Sequence, residues 1–409
     1  MLKSFPSRRH LLVACIVSAS VFTAYSVMWI PRVTHGFTMY YTYARMILEG
    51  EDFSRAYDYE YFNARVREYG IENMVDMPNN IPTNALVMLP LAWLPAGTAK
   101  IVWSILSLAA LALSIKILFG LYGISTTENL GLGLLTLVFI WRPIYDNIAL
   151  GQMYSLVLLL FSMSLVGIVR ANRYMSTVPV GVAFLAKGYG LVPVLWLAFT
   201  KRFQEFGLVV LWIVLGILAT LPLFGLGAWQ TFYSSVVSRL GTLPTDAHVA
   251  FQTINGFVFH LFTYDAKWLP YPVLELPSNV VRLLSYTLNI ILILVVFRRT
   301  GGTEPGGSLR SYSTAIAAGV VTAPLAEEYH FVLFLPLVLG LAADLVRQYG
   351  EARRVNMRMV VFGLSVLIMA LPPRYKELQF ASFPLILLAY PKLYAGVALL
   401  ALSCLQRSK

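Results

Sequence analysis

Apolar stretches recur along almost the whole chain, and several of them are long enough to cross a lipid bilayer. A helix needs about 20 apolar residues to cross a hydrocarbon layer of roughly 30 Å. Of the 409 residues, 58% are hydrophobic and only 12% are charged, whereas about a quarter of the residues of a soluble domain are charged. The sequence therefore predicts a polytopic integral membrane protein and excludes a soluble globular fold.

The net charge of +11 does not indicate a nucleic-acid-binding protein, because the basic residues lie at the ends of apolar stretches and not in one patch. This placement is typical of cytoplasmic loops and of contacts with anionic lipid headgroups. The stretch Leu11–Ile30 is expected to be an uncleaved first span with the N-terminus in the cytoplasm. The basic clusters are Lys3/Arg8/Arg9, Arg170/Arg173, Lys201/Arg202, Arg298/Arg299/Arg310, Arg347/Arg353/Arg354/Arg358 and Arg407/Lys409.

One short apolar stretch, Thr83–Leu94, decides the orientation of everything that follows it. Pro82, Pro90 and Pro95 bracket and break it. If it spans the membrane, the next basic clusters lie outside. If it lies in the interface or re-enters, all the later clusters fall inside, as the distribution of Lys and Arg in membrane proteins favours. The second alternative predicts that both termini are cytoplasmic and that the protein is integral to the cytoplasmic membrane.

The predicted fold is an all-α bundle of about 12 transmembrane helices in a single transmembrane domain, residues 1–409. Residues 31–96 form a first outer loop with interfacial helices, for which helical patterns at Phe37–Leu48 and Tyr59–Tyr69 are candidates. Residues 224–276 form a second large outer loop. The predicted spans are 11–30, 99–120, 128–141, 152–169, 175–186, 189–200, 204–223, 277–297, 311–324, 329–346, 357–372 and 383–405.

Lys187 lies between two short apolar segments, at the apex where two short helices are expected to meet. An ionisable group at membrane depth is costly and is by default a hypothesis of function. Arg142 is expected on the same outer face, and a phosphate group would suit both cations. The alternative for Lys187 is a lysine that snorkels from a helix end.

Short polar motifs follow one another in order on the predicted outer face. They are Gly151-Gln152; Leu185-Ala186-Lys187-Gly188 with Pro193; Gln252-Thr253-Ile254-Asn255-Gly256; and Ala323-Pro324 followed by Glu327, Tyr329 and His330. The first loop adds Tyr40-Tyr41-Thr42-Tyr43-Ala44, Tyr57-Asp58 and Ile81-Pro82-Thr83-Asn84-Ala85-Leu86. In order and spacing, residues 30–340 resemble the polytopic GT-C glycosyltransferases, and most closely glycosyltransferase family 87.

The resemblance implies a hexosyltransferase that moves a sugar, usually mannose, from a polyprenyl-phosphate donor to a lipid-linked or cell-surface glycan at the outer face. The donor would arrive from the lipid phase, so the resemblance implies no nucleotide fold, no metal and no cofactor. The expected chemistry is direct displacement with inversion. A carboxylate in the first outer loop removes the acceptor proton, and cationic groups stabilise the leaving phosphate.

The sequence departs from this resemblance just after the first span, where many GT-C proteins carry an aspartate and this chain has Thr34-His35-Gly36-Phe37. Asp76 is the first candidate for the catalytic base, because it precedes the proline-rich interfacial segment. Asp58 and Asp52 are held in reserve, and His330 is a further catalytic candidate. The candidate substrate-binding residues are Lys187, Arg142, Gln152, Gln252, Asn255 and Glu327.

Two other functional classes stay open. A transporter or flippase of lipid-linked sugars would need polar groups through the middle of several spans and usually an internal repeat. The sequence has no clear repeat, and its polar groups gather at one face, which favours an enzyme. A non-catalytic membrane subunit would be compatible with the missing aspartate. The predicted partners are the bilayer, the donor lipid and a glycan or glycolipid acceptor, with no nucleic acid.

Overall fold

The computed structural model describes residues 7–75, 79–240, 249–265, 272–301, 305–352, 356–372 and 383–405. Within these ranges the architecture is all-helical. In chain order the α-helices are α1 (Arg8–Trp29), α2 (His35–Leu48), α3 (Tyr59–Glu68), α4 (Ala85–Met88), α5 (Ala96–Tyr122), α6 (Asn129–Ile140), α7 (Arg142–Ala149), α8 (Tyr154–Val169), α9 (Arg173–Lys187), α10 (Leu191–Phe199), α11 (Phe203–Ser235), α12 (Ile254–Phe262), α13 (Ser278–Thr300), α14 (Pro305–Val321), α15 (Leu335–Ala352), α16 (Met357–Ala370) and α17 (Pro391–Leu405). Short 3₁₀ helices occupy Phe53–Tyr57, Pro82–Asn84, Leu89–Leu91, Val237–Arg239, Glu328–Phe334 and Leu385–Leu388.

The helices confirm the membrane character of the chain but not the predicted number of spans. Each predicted span overlaps a helix, yet in the described part of the chain only five segments are long and apolar enough to cross a membrane: Arg8–Trp29, Ala96–Tyr122, Phe203–Arg239, Ser278–Thr300 and Glu328–Gln348. Several of the others are too short to cross roughly 30 Å as straight helices, since each residue adds about 1.5 Å. Helix α10, for example, has 9 residues.

Several predicted boundaries differ from the structure. The segment predicted as 329–346 begins as the 3₁₀ helix Glu328–Phe334 and becomes α-helical only at Leu335. The last helix begins at Pro391, later than predicted. Helix α11 continues to Ser235, past the predicted end of its span, because the chain resumes helical geometry after a break at Gly225 (φ 70°, ψ 161°).

The chain divides into two compact units. The first unit comprises Met1–Val27, Leu113–Tyr145 and Gly241–Lys409, and the second comprises Met28–Ala112 and Asp146–Leu240. The centre of the first unit is formed by α14, α15 and α17, which pack on one another. The candidate residues from the first loop, together with Gln152 and Lys187, lie in the second unit.

In the second unit, small residues let α9 pack tightly on both of its neighbours. A Cβ atom at Gly167 of α8 would lie only 2.2 Å from the backbone nitrogen of Ser176 on α9. A Cβ atom at Gly181 of α9 would lie 2.8 Å from the Cβ atom of Trp212 on α11. These close approaches hold α9 along its length, so the position of its last residue, Lys187, is defined.

The segment around Pro82 is too broken to form one long straight helix. Its one α-helix, α4, has 4 residues and is therefore about 6 Å long. The 3₁₀ helices Pro82–Asn84 and Leu89–Leu91 flank it, and the whole segment packs against α2 and α9. That this segment lies in the interface or re-enters stays a prediction, as does the orientation of the two termini.

The first loop has a small core of its own, in which the predicted helices form as α2 and α3. Asn63 of α3 is fully buried. Its amide nitrogen donates to the carbonyl oxygens of Val75 and Tyr59, both at 3.0 Å, and its Oδ1 accepts from the backbone nitrogen of Val75 at 2.8 Å. Asn63 therefore fixes the backbone of Val75, the residue before Asp76.

We expect Asn63→Ala to destabilise the protein by roughly 2–4 kcal/mol, because it leaves buried backbone groups of Val75 without partners. The measurement is thermal unfolding of the detergent-solubilised protein. The matched control is Asn73→Ala, since Asn73 is exposed and donates a single bond, to the carbonyl of Val33 at 2.7 Å. Equal losses of stability in the two variants would contradict the role given to Asn63.

Candidate active site

Two groups of neighbouring side chains, one in each unit, contain several of the candidate residues. We call the first the lysine cluster; it lies in the second unit and consists of Lys187, Asn80, Tyr40, Tyr154 and Gln152. We call the other the glutamate cluster; it lies in the first unit and consists of Glu327, Glu328, Tyr329, His330 and Lys392.

The lysine cluster is built around the C-terminus of α9. Lys187 is the last helical residue, and Gly188 (φ 71°) ends the helix in the left-handed conformation that glycine favours. The Lys187 ammonium donates to Oδ1 of Asn80 at 2.6 Å. It also lies 4.9 Å from the ring centroid of Tyr40 and 5.9 Å from that of Tyr154, within the range of cation–π attraction. The lysine side chain is half-buried.

The same loop segment that supplies Asn80 also covers the end of α9. The last carbonyls of a helix have no partner within the helix. Here the Thr83 hydroxyl donates to the carbonyl of Leu185, and the Asn84 amide donates to the carbonyl of Ala186. The motif Ile81-Pro82-Thr83-Asn84 thus fixes the helix end from which Lys187 projects.

Gln152 joins the cluster through Tyr40, whose hydroxyl donates to its Oε1. This contact depends on two glycines. A Cβ atom at Gly151 (φ 66°) would lie 2.6 Å from the Cβ of Phe37, and one at Gly36 would lie 2.5 Å from the carbonyl oxygen of Leu150. Glycine at both positions lets the turn before α8 touch the start of α2 and brings Gln152 under Tyr40.

Lys100 is a buried cation that the sequence reasoning missed. Its side chain is fully buried in α5. The ammonium donates to Oγ of Ser104 at 3.0 Å and to the carbonyl of Ile148 at 3.4 Å. Trp103, on the same helix, donates from Nε1 to the carbonyl of Gly151 at 2.9 Å. Lys100 and Trp103 therefore brace the glycine turn, and a lysine inside an apolar span was the signal that could have revealed it.

Asp58 caps the start of α3 and follows Tyr57, which contacts Asn80 of the lysine cluster. Its Oδ1 accepts from the backbone nitrogen of Tyr61 at 2.9 Å at the start of α3, and its side chain is exposed. The hydroxyl of Tyr57 donates to the carbonyl of Asn80 at 3.0 Å. Burial raises the pKa of Tyr57, so this hydroxyl stays protonated as a donor. Asp52 similarly caps the 3₁₀ helix Phe53–Tyr57.

Asp76, the first candidate for the base, lies outside the described residues. The residue before it, Val75, is held by Asn63 as described above. The catalytic roles of Asp76 and Asp58 stay predictions.

The glutamate cluster opens the 3₁₀ helix Glu328–Phe334. Glu327 and His330 form a reciprocal cap at its start, and the hydroxyl of Tyr329 donates to Oε1 of Glu327 at 3.0 Å. Nδ1 of His330 lies 3.0 Å from the backbone nitrogen of Glu327 and 3.1 Å from its carbonyl oxygen. In the cap, Nδ1 accepts from the backbone N–H of Glu327, so the neutral ring carries its proton on Nε2.

Lys392 is a second cation that the sequence reasoning missed. It is fully buried, and its ammonium donates to three carbonyls at the C-terminal end of α16, those of Ile368 (2.9 Å), Met369 (2.8 Å) and Leu371 (2.6 Å). It also lies 3.4 Å from Oε1 of Glu328. Lys392 thus neutralises a buried carboxylate next to His330 and serves a positioning role.

Gln252 and Asn255 are almost fully buried, and their amides are bonded within the protein. Gln252 donates to the carbonyls of Val249 (2.6 Å) and Ala389 (2.9 Å) and accepts from the backbone nitrogen of Lys392 at 3.1 Å. Asn255 donates to the carbonyl of Pro324 at 3.2 Å. Both residues brace the elements that carry the glutamate cluster. A direct contact with sugar, which stays a prediction, would require them to exchange these partners.

Arg142 begins α7 and is half-buried. It belongs to the first unit, whereas Lys187 belongs to the second, so the binding of one phosphate by both cations stays a prediction. Among the residues that the structure describes, no group of His, Cys, Asp or Glu side chains could hold a metal ion.

The family model named Glycosyltransferase family 87 matches residues 81–326. This match covers more than half of the chain. The protein belongs to glycosyltransferase family 87. The matched range contains Lys187, Gln152, Arg142, Gln252 and Asn255, and it confirms the resemblance found in the sequence. Comparison with curated proteins and with solved structures gave no match.

Family membership, together with the apolar helices, makes the chain a membrane glycosyltransferase. The matched range begins at Ile81 and ends at Ala326. Tyr40 and Asn80 of the lysine cluster and the whole glutamate cluster therefore lie outside it. Their assignment to the site depends on the contacts of the folded chain.

We expect Gly151→Ala to weaken the glycosyltransferase more than Gly50→Ala. Alanine is strained by about 1–2 kcal/mol at both positions, which have positive φ angles, but only at Gly151 does the new Cβ collide with Phe37, while Gly50 has open space around it. The collision should cost a further 1–3 kcal/mol or so. Thermal unfolding and sugar transfer are measured on both variants, and equal behaviour would contradict the close approach.

Proposed function

We propose that this family 87 glycosyltransferase transfers a hexose, with mannose as the first sugar to test, from a polyprenyl-phosphate donor to a hydroxyl group of a lipid-linked or cell-surface glycan. The observation that carries the proposal is the position of Lys187. Its ammonium lies at the end of a short apolar helix and is held by Asn80 and Tyr40.

The chemistry of the donor favours such a position. A polyprenyl phosphate keeps its chain in the lipid and its phosphate near the polar boundary, so a protein group that binds it must carry positive charge at the end of an apolar element. The charged contact of an ammonium with a phosphate oxygen is among the stronger hydrogen bonds. Helices α9 and α10 are both short, and they meet at the turn Gly188–Gly190 next to Lys187.

In the proposed reaction, the acceptor hydroxyl oxygen attacks the anomeric carbon as the bond from that carbon to the phosphate oxygen breaks. Negative charge grows on the departing polyprenyl phosphate, and Lys187 stabilises it. The hydroxyl proton passes to a base, for which Asp76 is the first candidate and Asp58 and His330 are the others. Arg142 and Glu327 are proposed as further substrate contacts.

We expect Lys187→Met to weaken donor binding by roughly 10- to 100-fold, because a charged hydrogen bond to phosphate is lost while the apolar stem is kept. Lys187→Arg should keep part of the affinity. Binding of polyprenyl-phosphate mannose to the purified protein is measured together with transfer to a glycolipid acceptor. The control is Lys201→Met, which removes an exposed lysine in the turn between α10 and α11.

The proposal fails if Lys187→Met binds the donor as tightly as the unmodified protein. It also fails if no polyprenyl-phosphate sugar yields product with any acceptor offered.

We expect Asp76→Asn to lower kcat by roughly 10²- to 10⁴-fold, the usual contribution of a general base, while donor affinity is kept. Asp58→Asn should leave kcat close to normal, because asparagine caps a helix about as well as aspartate and keeps the contact with Tyr61. Single-turnover transfer and donor binding are measured on both variants and on His330→Asn. Normal kcat in Asp76→Asn would remove Asp76 as the base, and a loss in one of the other variants would name its replacement.

A further inference from the structure

A polar cavity lies in the first unit, away from the glutamate cluster. It has a volume of about 430 Å³ and is formed by the C-terminal end of α5, the first half of α14 and the stretch of α15 from Leu337 to Arg347. Its polar lining comes from Tyr122, Arg310, Ser313, Asp344 and Arg347. None of these residues contributes to the proposed transfer reaction.

Hydrogen bonds join the helices that form the cavity. The hydroxyl groups of Tyr122 and Ser313 lie 2.9 Å apart and join α5 to α14. Arg347 donates from Nη2 to the carbonyl of Tyr122 at 2.8 Å and joins α15 to α5. A Cβ atom at Gly340 would lie 2.8 Å from the Tyr122 ring, so the glycine is needed for the ring to lie against α15.

The charge of the lining is positive. Arg310 and Arg347 bring two guanidinium groups, and Asp344 brings one carboxylate, on which both arginines act electrostatically. Nη1 of Arg347 lies 3.5 Å from Oδ1 of Asp344. The described lining therefore has two guanidinium groups and one carboxylate, and a guanidinium group is a planar fork whose remaining N–H donors match phosphate oxygens.

More basic residues lie at the same end of the first unit. The hydroxyls of Thr300 and Ser311 are 3.1 Å apart and join the last residue of α13 to the start of α14. Arg298 and Arg299 are therefore close to the start of α14, and Arg299 acts together with Arg310 on Cys404 of α17. This is the end of the helices that the distribution of Lys and Arg predicts to be cytoplasmic.

The remaining lining is apolar or small. Four leucines, Leu121, Leu309, Leu337 and Leu341, lie there with three glycines, so polar and apolar walls meet within one space. A phosphate group attached to an apolar chain would satisfy both kinds of wall, and basic residues at the end of membrane helices attract anionic headgroups.

We propose that this cavity binds a phosphate group, carried by an anionic phospholipid of the adjacent leaflet, between Arg310 and Arg347. The occupant would bridge α5, α14 and α15. It would raise the free energy of unfolding by an amount that grows with the logarithm of one plus the ratio of its concentration to its dissociation constant. This inference does not depend on the identity of the sugar donor or of the catalytic base.

The test compares the delipidated full-length protein, in detergent, with three additions: phosphatidylglycerol, phosphatidylcholine and inorganic phosphate. Thermal unfolding and native mass spectrometry report stabilisation and bound lipid. We expect phosphatidylglycerol to raise the unfolding temperature and to remain bound, and phosphatidylcholine to do so much less. Protection by inorganic phosphate equal to that by phosphatidylglycerol would support the phosphate site and assign it to the free anion.

The decisive variant is Arg310→Gln/Arg347→Gln, which should weaken binding of phosphatidylglycerol roughly tenfold or more, as expected for the loss of charged hydrogen bonds. The matched control is Arg298→Gln/Arg299→Gln, which removes the same charge from the same end of the unit without touching the cavity. The Arg347 side chain is 62% exposed, so the single variant Arg347→Gln is expected to fold. Its lipid binding can be measured even if the double variant does not fold. The proposal is overturned if the cavity variants bind like the unmodified protein, or if the control loses as much binding as they do.

Discussion

The polar groups at the end of α9 are the constraint on which the candidate site depends. A helix that stops within an apolar environment must find partners for its last carbonyls, because lipid offers none. Thr83 and Asn84 supply those partners to Leu185 and Ala186. In doing so they bring Asn80 to the ammonium of Lys187. One set of hydrogen bonds thus ends the helix and positions the cation.

The same physical solution recurs at the two fully buried lysines of the part of the chain that the structure describes. Lys100 binds a hydroxyl and a carbonyl, and Lys392 binds three carbonyls at the end of α16 and a carboxylate. Burying an ammonium without such partners would cost several kcal/mol or more. The difference between the three lysines lies in exposure, because Lys187 is half-buried while the other two are fully buried. This difference makes Lys187 the candidate for substrate and gives Lys100 and Lys392 supporting roles.

The buried amides and the glycines show how the sequence motifs act. The sequence predicts Gln252 and Asn255 to be substrate-binding residues on the outer face. In the structure both are buried within the protein, where they are bonded to backbone groups. The Gly151-Gln152 motif works through close contact: glycine admits the Phe37 side chain, and Gln152 then meets Tyr40. A motif in a membrane enzyme can therefore describe the scaffold that holds a site as well as the groups that touch substrate.

By itself, the sequence determined the class of protein, the approximate location of the apolar helices, the proline-broken stretch Thr83–Leu94 and the family, and it singled out Lys187 as a candidate. These follow from local properties: hydropathy, proline positions, and short motifs in a fixed order. The tertiary structure alone decided which partners these residues meet. Tyr40 and Asn80 around Lys187, Lys392 beside Glu328, and the two arginines of the cavity are brought together over long separations in the chain. Such contacts depend on how closely the helices approach one another. Small residues such as Gly151, Gly181 and Gly340 control that approach. The distance between helices cannot be read from a pattern of hydropathy.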